Sequence, residues 1–228
     1  MNIYDNINYM YKSKIFGNGD EYIGEFKNDK RNGKGTIYYY QNNEYEIDRY
    51  EGEWKNDIIE GKGVMYWKNG VKYEGDWKND RKEGKGIEYY NEKDEFDRVR
   101  YDGEWKNGYK KGKGILYWKN GDRYEGDFKN DDLEGKGIIF FNENDQLNRD
   151  RYDGEWKNGY KEGKGILYWK DGDRYEGCLK NDNLEGKGVY FYNNGDREMG
   201  NYLNDNKIGK HVMLHANGEV TSVIFFKK

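Results

Sequence analysis

A tyrosine, a glycine and a second aromatic residue recur at alternate positions along this 228-residue chain, starting at Tyr22, Tyr50, Tyr73, Tyr101, Tyr124, Tyr152 and Tyr175. A degenerate copy follows at Glu198-Met199-Gly200-Asn201-Tyr202. The starts are separated by 28, 23, 28, 23, 28, 23 and 23 residues. A fixed step of this size means a stacked array, in which each unit buries its surface against its neighbours.

The parity within a unit defines the element. In Tyr50-Glu51-Gly52-Glu53-Trp54 the Tyr, Gly and Trp share one face of a strand and both Glu the other. Gly52, between two rings, leaves room for an aromatic from the neighbouring strand to lie over it. Glu60-Gly61-Lys62-Gly63 follows, with glycines able to take the positive φ of a tight turn, and then an apolar run such as Ile115-Leu116-Tyr117-Trp118. Each unit therefore reads as a hairpin, and Lys119-Asn120-Gly121 turns the chain into the next. A three-residue loop with Gly121 in the left-handed region puts Leu116 and Trp118 on the aromatic face and sets Tyr117 across from Arg123. The opposite face is then Glu, Tyr, Lys and Arg, a solvent surface.

Composition supports a thin aromatic core. Charged residues are 37% of the chain, which on its own favours disorder, but 24 Tyr, 9 Phe and 7 Trp provide large surfaces to bury. The net charge of −4 is spread evenly, so no basic stripe for nucleic acid emerges. The start of the chain lacks the cationic and apolar regions of a signal peptide, no stretch has the length of a membrane span, and one cysteine, Cys178, allows no internal disulfide framework. A cytoplasmic protein, neither secreted nor membrane-spanning, is expected.

With Tyr-x-Gly-x-Trp/Phe and Gly-Lys-Gly in six consecutive copies from Tyr22 to Gly165, the chain resembles the MORN (membrane occupation and recognition nexus) repeat family. The resemblance implies an all-β fold: an elongated, twisted and curved single-layer antiparallel sheet of stacked hairpins, with aromatic rows lining a groove. Roughly 16 strands at about 4.8 Å would span about 75 Å. The expected organisation is a partial repeat or cap over 1–21, seven repeats over 22–197, and a degenerate repeat with a cap over 198–228. Phe16-Gly17-Asn18-Gly19 matches Trp118-Lys119-Asn120-Gly121, and Val220 to Phe226 reads as a terminal strand. Leu179 at a second-aromatic position and His211 in place of a glycine mark the capping end.

The five extra residues of the longer steps fall in inter-unit loops, each polar around one apolar residue: Tyr45, Phe96 and Leu147, spaced by 51. Either each tip folds back onto its own hairpin or the three form a comb, recurring about every 19 Å, for a repetitive partner. Trp54, Trp67, Trp77, Trp105, Trp118, Trp156 and Trp169 are the other candidate partner-binding residues, with core packing as the competing role.

No catalytic constellation stands out. Gly-Lys-Gly lacks the spacing of a phosphate loop, Asn130 to Gly135 lacks the terminal Glu of a calcium loop, and His211 and His215 with Cys178 make a poor zinc set. Carboxylates that repeat in every unit single out no pair. Neither catalysis nor a cofactor nor a metal is expected. The family resemblance implies a scaffold for protein partners in a cytoskeletal or ciliary, axonemal, assembly, with a homodimer as one arrangement. The alternative is a peripheral membrane module that binds phospholipid, although acids near each Lys disfavour it. Carbohydrate or choline recognition is a third class, which the absent secretion signal disfavours.

Overall fold

The computed structural model describes residues 10–40 and 46–225; residues 1–9, Tyr45 and its loop from 41, and 226–228 lie outside the described residues. Among the described residues every regular element is a strand, and the 18 strands form an open antiparallel sheet of stacked hairpins. The chain separates into two units, Met1–Lys111 and Gly112–Lys228.

The first unit holds β1 (Met10–Ile15), β2 (Glu21–Lys27), β3 (Lys30–Tyr38), β4 (Ile47–Lys55), β5 (Ile58–Trp67), β6 (Lys72–Lys78), β7 (Arg81–Tyr89) and β8 (Arg98–Lys106), each antiparallel to the next. The division falls within β9 (Tyr109–Trp118). The second holds β10 (Arg123–Lys129), β11 (Asp132–Phe140), β12 (Arg149–Lys157), β13 (Tyr160–Trp169), β14 (Arg174–Lys180), β15 (Asn183–Phe191), β16 (Arg197–Leu203), β17 (Asn206–Leu214) and β18 (Val220–Phe225), paired in the same way.

The tight turn inside each hairpin is not at Gly-Lys-Gly, as the sequence reading had it, but at the Asn-Asp or Asn-Gly before it. Asn56 and Asp57 both have positive φ, 51° and 71°, and join Lys55 to its partner Ile58 in a two-residue loop. That geometry matches the twist of the flanking strands. Asp is used where glycine would be easier because it serves the neighbouring hairpin. The Asp57 carboxylate accepts the Arg31 amide at 2.9 Å and Asp80 accepts the Ile59 amide at 2.8 Å. The first glycine of Gly-Lys-Gly does take positive φ, 78° at Gly61, but inside β5. Glu60, before it, accepts the Asn79 amide of the next turn at 3.1 Å. Glu83, Glu134, Glu162 and Glu185 do the same for Asn107, Asn158, Asn181 and Asn204. Many of the recurrent carboxylates are thus joints between hairpins.

The turn between units follows the sequence reading. Gly121 has φ 94°, and the Trp118 amide donates to the Asp122 carbonyl across Lys119-Asn120-Gly121. Leu116 is buried.

The glycine of Tyr-x-Gly is covered differently from the expectation. It is not a ring from the neighbouring strand but the unit's own tyrosine, two residues earlier, that lies over Gly52 and over Gly63 opposite it. The Tyr50 hydroxyl donates to the Glu53 carbonyl at 3.3 Å. All seven tyrosines that start a repeat are fully buried. Burial pushes the Tyr22 phenol up to about 12, so it stays a neutral donor. Where both second positions are aromatic, the ring meets its own and that of the next repeat edge-on, as Tyr50 meets Trp54 at 5.2 Å and Trp77 at 5.5 Å. The indole of Trp54 donates across to the Gly35 carbonyl at 3.2 Å, and that of Trp77 to Gly63.

Candidate interaction surfaces

The aromatic rows do not line an open groove. Trp54, Trp77, Trp105 and Trp156 are 4–6% exposed. They belong to the core, the competing role that the sequence left open for them. Trp67, Trp118 and Trp169 are half-buried; Trp169 packs against Tyr190. This face also carries an acid: Glu88 stands opposite Tyr73, where other repeats carry an aliphatic residue such as Met65 or Leu167. Burial raises its carboxyl, but Lys82 and Lys110 beside it outweigh burial and hold it below the usual range.

The troughs lie on the other face. In the first unit one runs over the backbone of Gly35, Gly52, Gly63, Gly75 and Gly86. One wall carries Thr36, Val64 and Ile87 with acids, the other lysines with acids. The second unit repeats this over Gly154, Gly165 and Gly177. Beyond the aliphatic wall stands a row of cations stacked on aromatics: Arg49 over Tyr66 at 3.6 Å, Arg151 over Tyr168 at 3.8 Å and Arg174 over Phe191 at 3.9 Å. Arg49 and Arg174 also hold Glu51 and Glu176. Sequence reading saw only a mixed solvent surface here, because the stacking depends on cross-strand register.

The two inserted loops among the described residues share one construction. In the first described loop, Asp94 accepts the Phe96 and Arg98 amides and takes Arg98 in a two-pronged pair, at 3.0 Å to Nε and 2.7 Å to Nη2. In the second, Asp145 takes Arg149 in the same way at 3.1 and 2.7 Å. Arg98 stacks on Tyr90 at 4.3 Å and Arg149 on Phe141 at 3.9 Å. The clasp fixes the loop base and leaves the tip out. Phe96 is 60% exposed and Leu147 is 65% exposed, so neither tip is folded back.

The clasp has a pH signature. Arg149 holds the Asp145 carboxyl down to about 2, with burial acting against it. A depressed folded value contributes stability that is complete above the unfolded carboxylate range near 4 and is lost as pH falls through about 2. Two-dimensional carboxyl NMR is therefore expected to show Asp145 titrating about two units below a free Asp, and Arg149→Lys should bring the midpoint back toward it. An unshifted midpoint would remove the clasp.

Among the described residues no group of three or more His, Cys, Asp and Glu could hold a metal ion. His211 is buried against Glu198, whereas His215 bonds Asp196 and Thr221. Asn130 and Asp131 form a hairpin turn, both with positive φ. No helix of the described residues is long and apolar enough to cross a membrane.

The family match agrees with the fold. The MORN repeat model matches residues 22–44, 50–72, 73–94, 101–123, 124–146, 152–174 and 175–197. No curated protein matches. Among solved structures, the TCP domain of Drosophila melanogaster SAS-4 (dCPAP), in complex with a proline-rich motif of Ana2 (dSTIL), is similar at 12% identity, over 74% of this chain and 85% of that one, with a TM-score of 0.43. The TCP10 domain of Danio rerio CPAP, as a mutant, is similar at 11%, over 93% and 88%, with 0.45. At these scores the likeness carries no argument. The repeats, by contrast, mark a scaffold or a membrane-binding module of a generally non-catalytic kind. With seven matches spread over most of its length, this chain belongs to the MORN repeat family.

Proposed function

We propose that this chain is a non-catalytic scaffold that holds protein partners in a cytoskeletal or ciliary assembly, and that Phe96 and Leu147 are its contact residues. The observation that carries the reading is the pairing of an exposed apolar side chain with a braced loop. A large apolar group on a rigid base binds without the cost of ordering the loop, and such anchors dominate protein interfaces. The competing phospholipid reading finds less support, since outer-face cations such as Arg49, Lys72 and Arg174 are already held by acids.

The test is detergent extraction of native cells expressing the tagged chain, followed by cross-linking and identification of what remains bound. Phe96→Ser with Leu147→Ser is expected to lower recovery of protein partners at least about tenfold. Its melting temperature should stay within about 2 °C of the parent, since both tips are solvent-exposed. Unchanged recovery, or release with membranes, would refute the proposal.

A further inference from the structure

The outer face of the second unit changes character toward its end. In the first unit each lysine of Gly-Lys-Gly faces an acid across the next strand pair: Lys34 faces Glu53, Lys62 faces Asp76 and Lys85 faces Glu104. In the second unit Lys136 faces Glu155, but Lys164 faces Cys178, Lys187 faces Asn201 and Lys210 faces Ile224. The aliphatic wall changes with it. Ile138 faces Asp153 and Ile166 faces Glu176, whereas Val189 faces Met199 and Val212 faces Ser222.

The missing acids leave space as well as charge. Elsewhere an acid side chain reaches over the first glycine of Gly-Lys-Gly: Glu25 over Gly33, Glu53 over Gly61, Asp76 over Gly84, Asp127 over Gly135 and Glu155 over Gly163. Over Gly186 only the Cβ of Cys178 comes within 4 Å, and over Gly209 nothing does. Two such positions are thus vacated, one between Lys164 and Lys187 and one between Lys187 and Lys210. All three lysines are exposed, and Met199, on the facing wall, is 43% exposed. The trough between Lys164, Lys187 and Cys178 on one side and Ile166 on the other leads into them.

We infer that these two positions receive carboxylates from a partner protein, presented on an amphipathic acidic helix laid along the trough. The vacated positions are two strands apart, about 9.6 Å. Carboxylates seven residues apart on a helix are separated by about 10.5 Å on nearly one face, with an apolar stripe between them for Val189, Met199 and Val212. A membrane surface would instead reward a broad cluster of cations, and this row is one lysine wide. The inference takes its partner class from the scaffold reading above, but uses a surface distinct from the loop tips.

The probe is a labelled helical peptide of three heptads with leucines on one stripe and glutamates seven residues apart on its flank, its binding followed by fluorescence anisotropy at low salt. Saturable binding is expected. Cys178→Asp with Asn201→Asp restores the acids that other repeats carry, so the fold should keep its melting temperature while binding falls at least about tenfold; Lys187→Glu with Lys210→Glu should do likewise. Lys62→Glu, in the first unit, should leave binding unchanged, and so should Phe96→Ser with Leu147→Ser, which separates this surface from the tips. Absence of saturable peptide binding, insensitivity to both acidic pairs, or uptake by phosphatidylcholine–phosphatidylserine vesicles that the peptide does not compete would overturn it.

Discussion

Gly63→Ala is expected to destabilise the protein by about 3 kcal/mol, although it adds one methyl group to a strand where alanine is ordinarily the better residue. The added carbon would lie within the volume of the Tyr50 ring, with Oη, Cζ and Cε2 all closer than nonbonded carbon allows. The ring has nowhere to go. It is fully buried, held by its hydroxyl to the Glu53 carbonyl and boxed edge-on by Trp54 and Trp77. Displacing it uncovers an aromatic side chain and loosens two indoles, an overpacking cost of about 1–3 kcal/mol plus part of the lost burial. Against this, the reduced freedom of the unfolded chain gives back about 0.5–1 kcal/mol, too little to reverse the sign. For a chain of this length the melting temperature should fall by about 10 °C. Gly17→Ala is the control: no atom lies within 4 Å of the added carbon, and the change should stay within about 0.5 kcal/mol. Similar melting curves for the two variants would mean that the ring does not lie over the glycine.

That experiment bears on what the sequence could disclose. The alternation in Tyr50 to Trp54 was enough to assign a strand and its buried face, because a period of two is a property of the backbone. The three-residue loop at Gly121 was legible for a similar reason, since only one register buries Leu116. The direction in which Tyr50 leans was not legible. Either a neighbouring ring or its own could fill the space over Gly52, and side-chain direction along a strand leaves no mark in residue order. The hairpin turn was misplaced because Gly61 attracts a turn assignment, while Asn56-Asp57 hides one. Asp at a left-handed position becomes understandable only when its carboxylate is seen capping the neighbouring strand.

The candidate surfaces divide along the same line. Phe96 and Leu147 were singled out from insertion spacing, and the question left open was whether they fold back; the Asp-Arg clasps that hold them out could be seen only in three dimensions. The tryptophans attracted attention by type, and type alone could not separate a buried row from an exposed one. The loss of acids at Cys178, Met199 and Asn201 was present in the sequence, but it becomes a feature only when register places those residues against Lys164, Val189 and Lys187.

The hairpin of β16 and β17 gives the second large effect, a double-mutant cycle at Glu198 and His211. In the preceding repeat Tyr175 covers Gly177 and Gly188, and its hydroxyl donates to the Cys178 carbonyl at 3.2 Å. In the last repeat Glu198 stands where that tyrosine would be, and His211 stands where the facing glycine would be. The ring comes from the opposite strand instead: His211 fills the space over Gly200, and its Nε2 meets the Asn201 carbonyl at 2.9 Å, the same backbone position that the tyrosine hydroxyl takes in other repeats. Its Nδ1 meets Glu198 at 3.0 Å, and Lys207 and Tyr192 complete the carboxylate's partners, each at 2.6 Å. Burial raises the Glu198 carboxyl, but Lys207, Tyr192 and His211 together hold it below its ordinary value. Glu198→Tyr alone would drive a second ring into occupied space, at about 2–3 kcal/mol. His211→Gly alone would leave a ring-sized void and take one partner from a buried carboxylate, at about 3 kcal/mol. Together they rebuild the arrangement of Tyr175, Gly177 and Gly188, with the new ring able to meet Phe225 edge-on as His211 does now. The pair should therefore be less damaging than either change alone, with a coupling of at least about 3 kcal/mol in urea unfolding. Costs that simply add would mean that the two residues act independently and that this hairpin is held by contacts other than the exchanged ring.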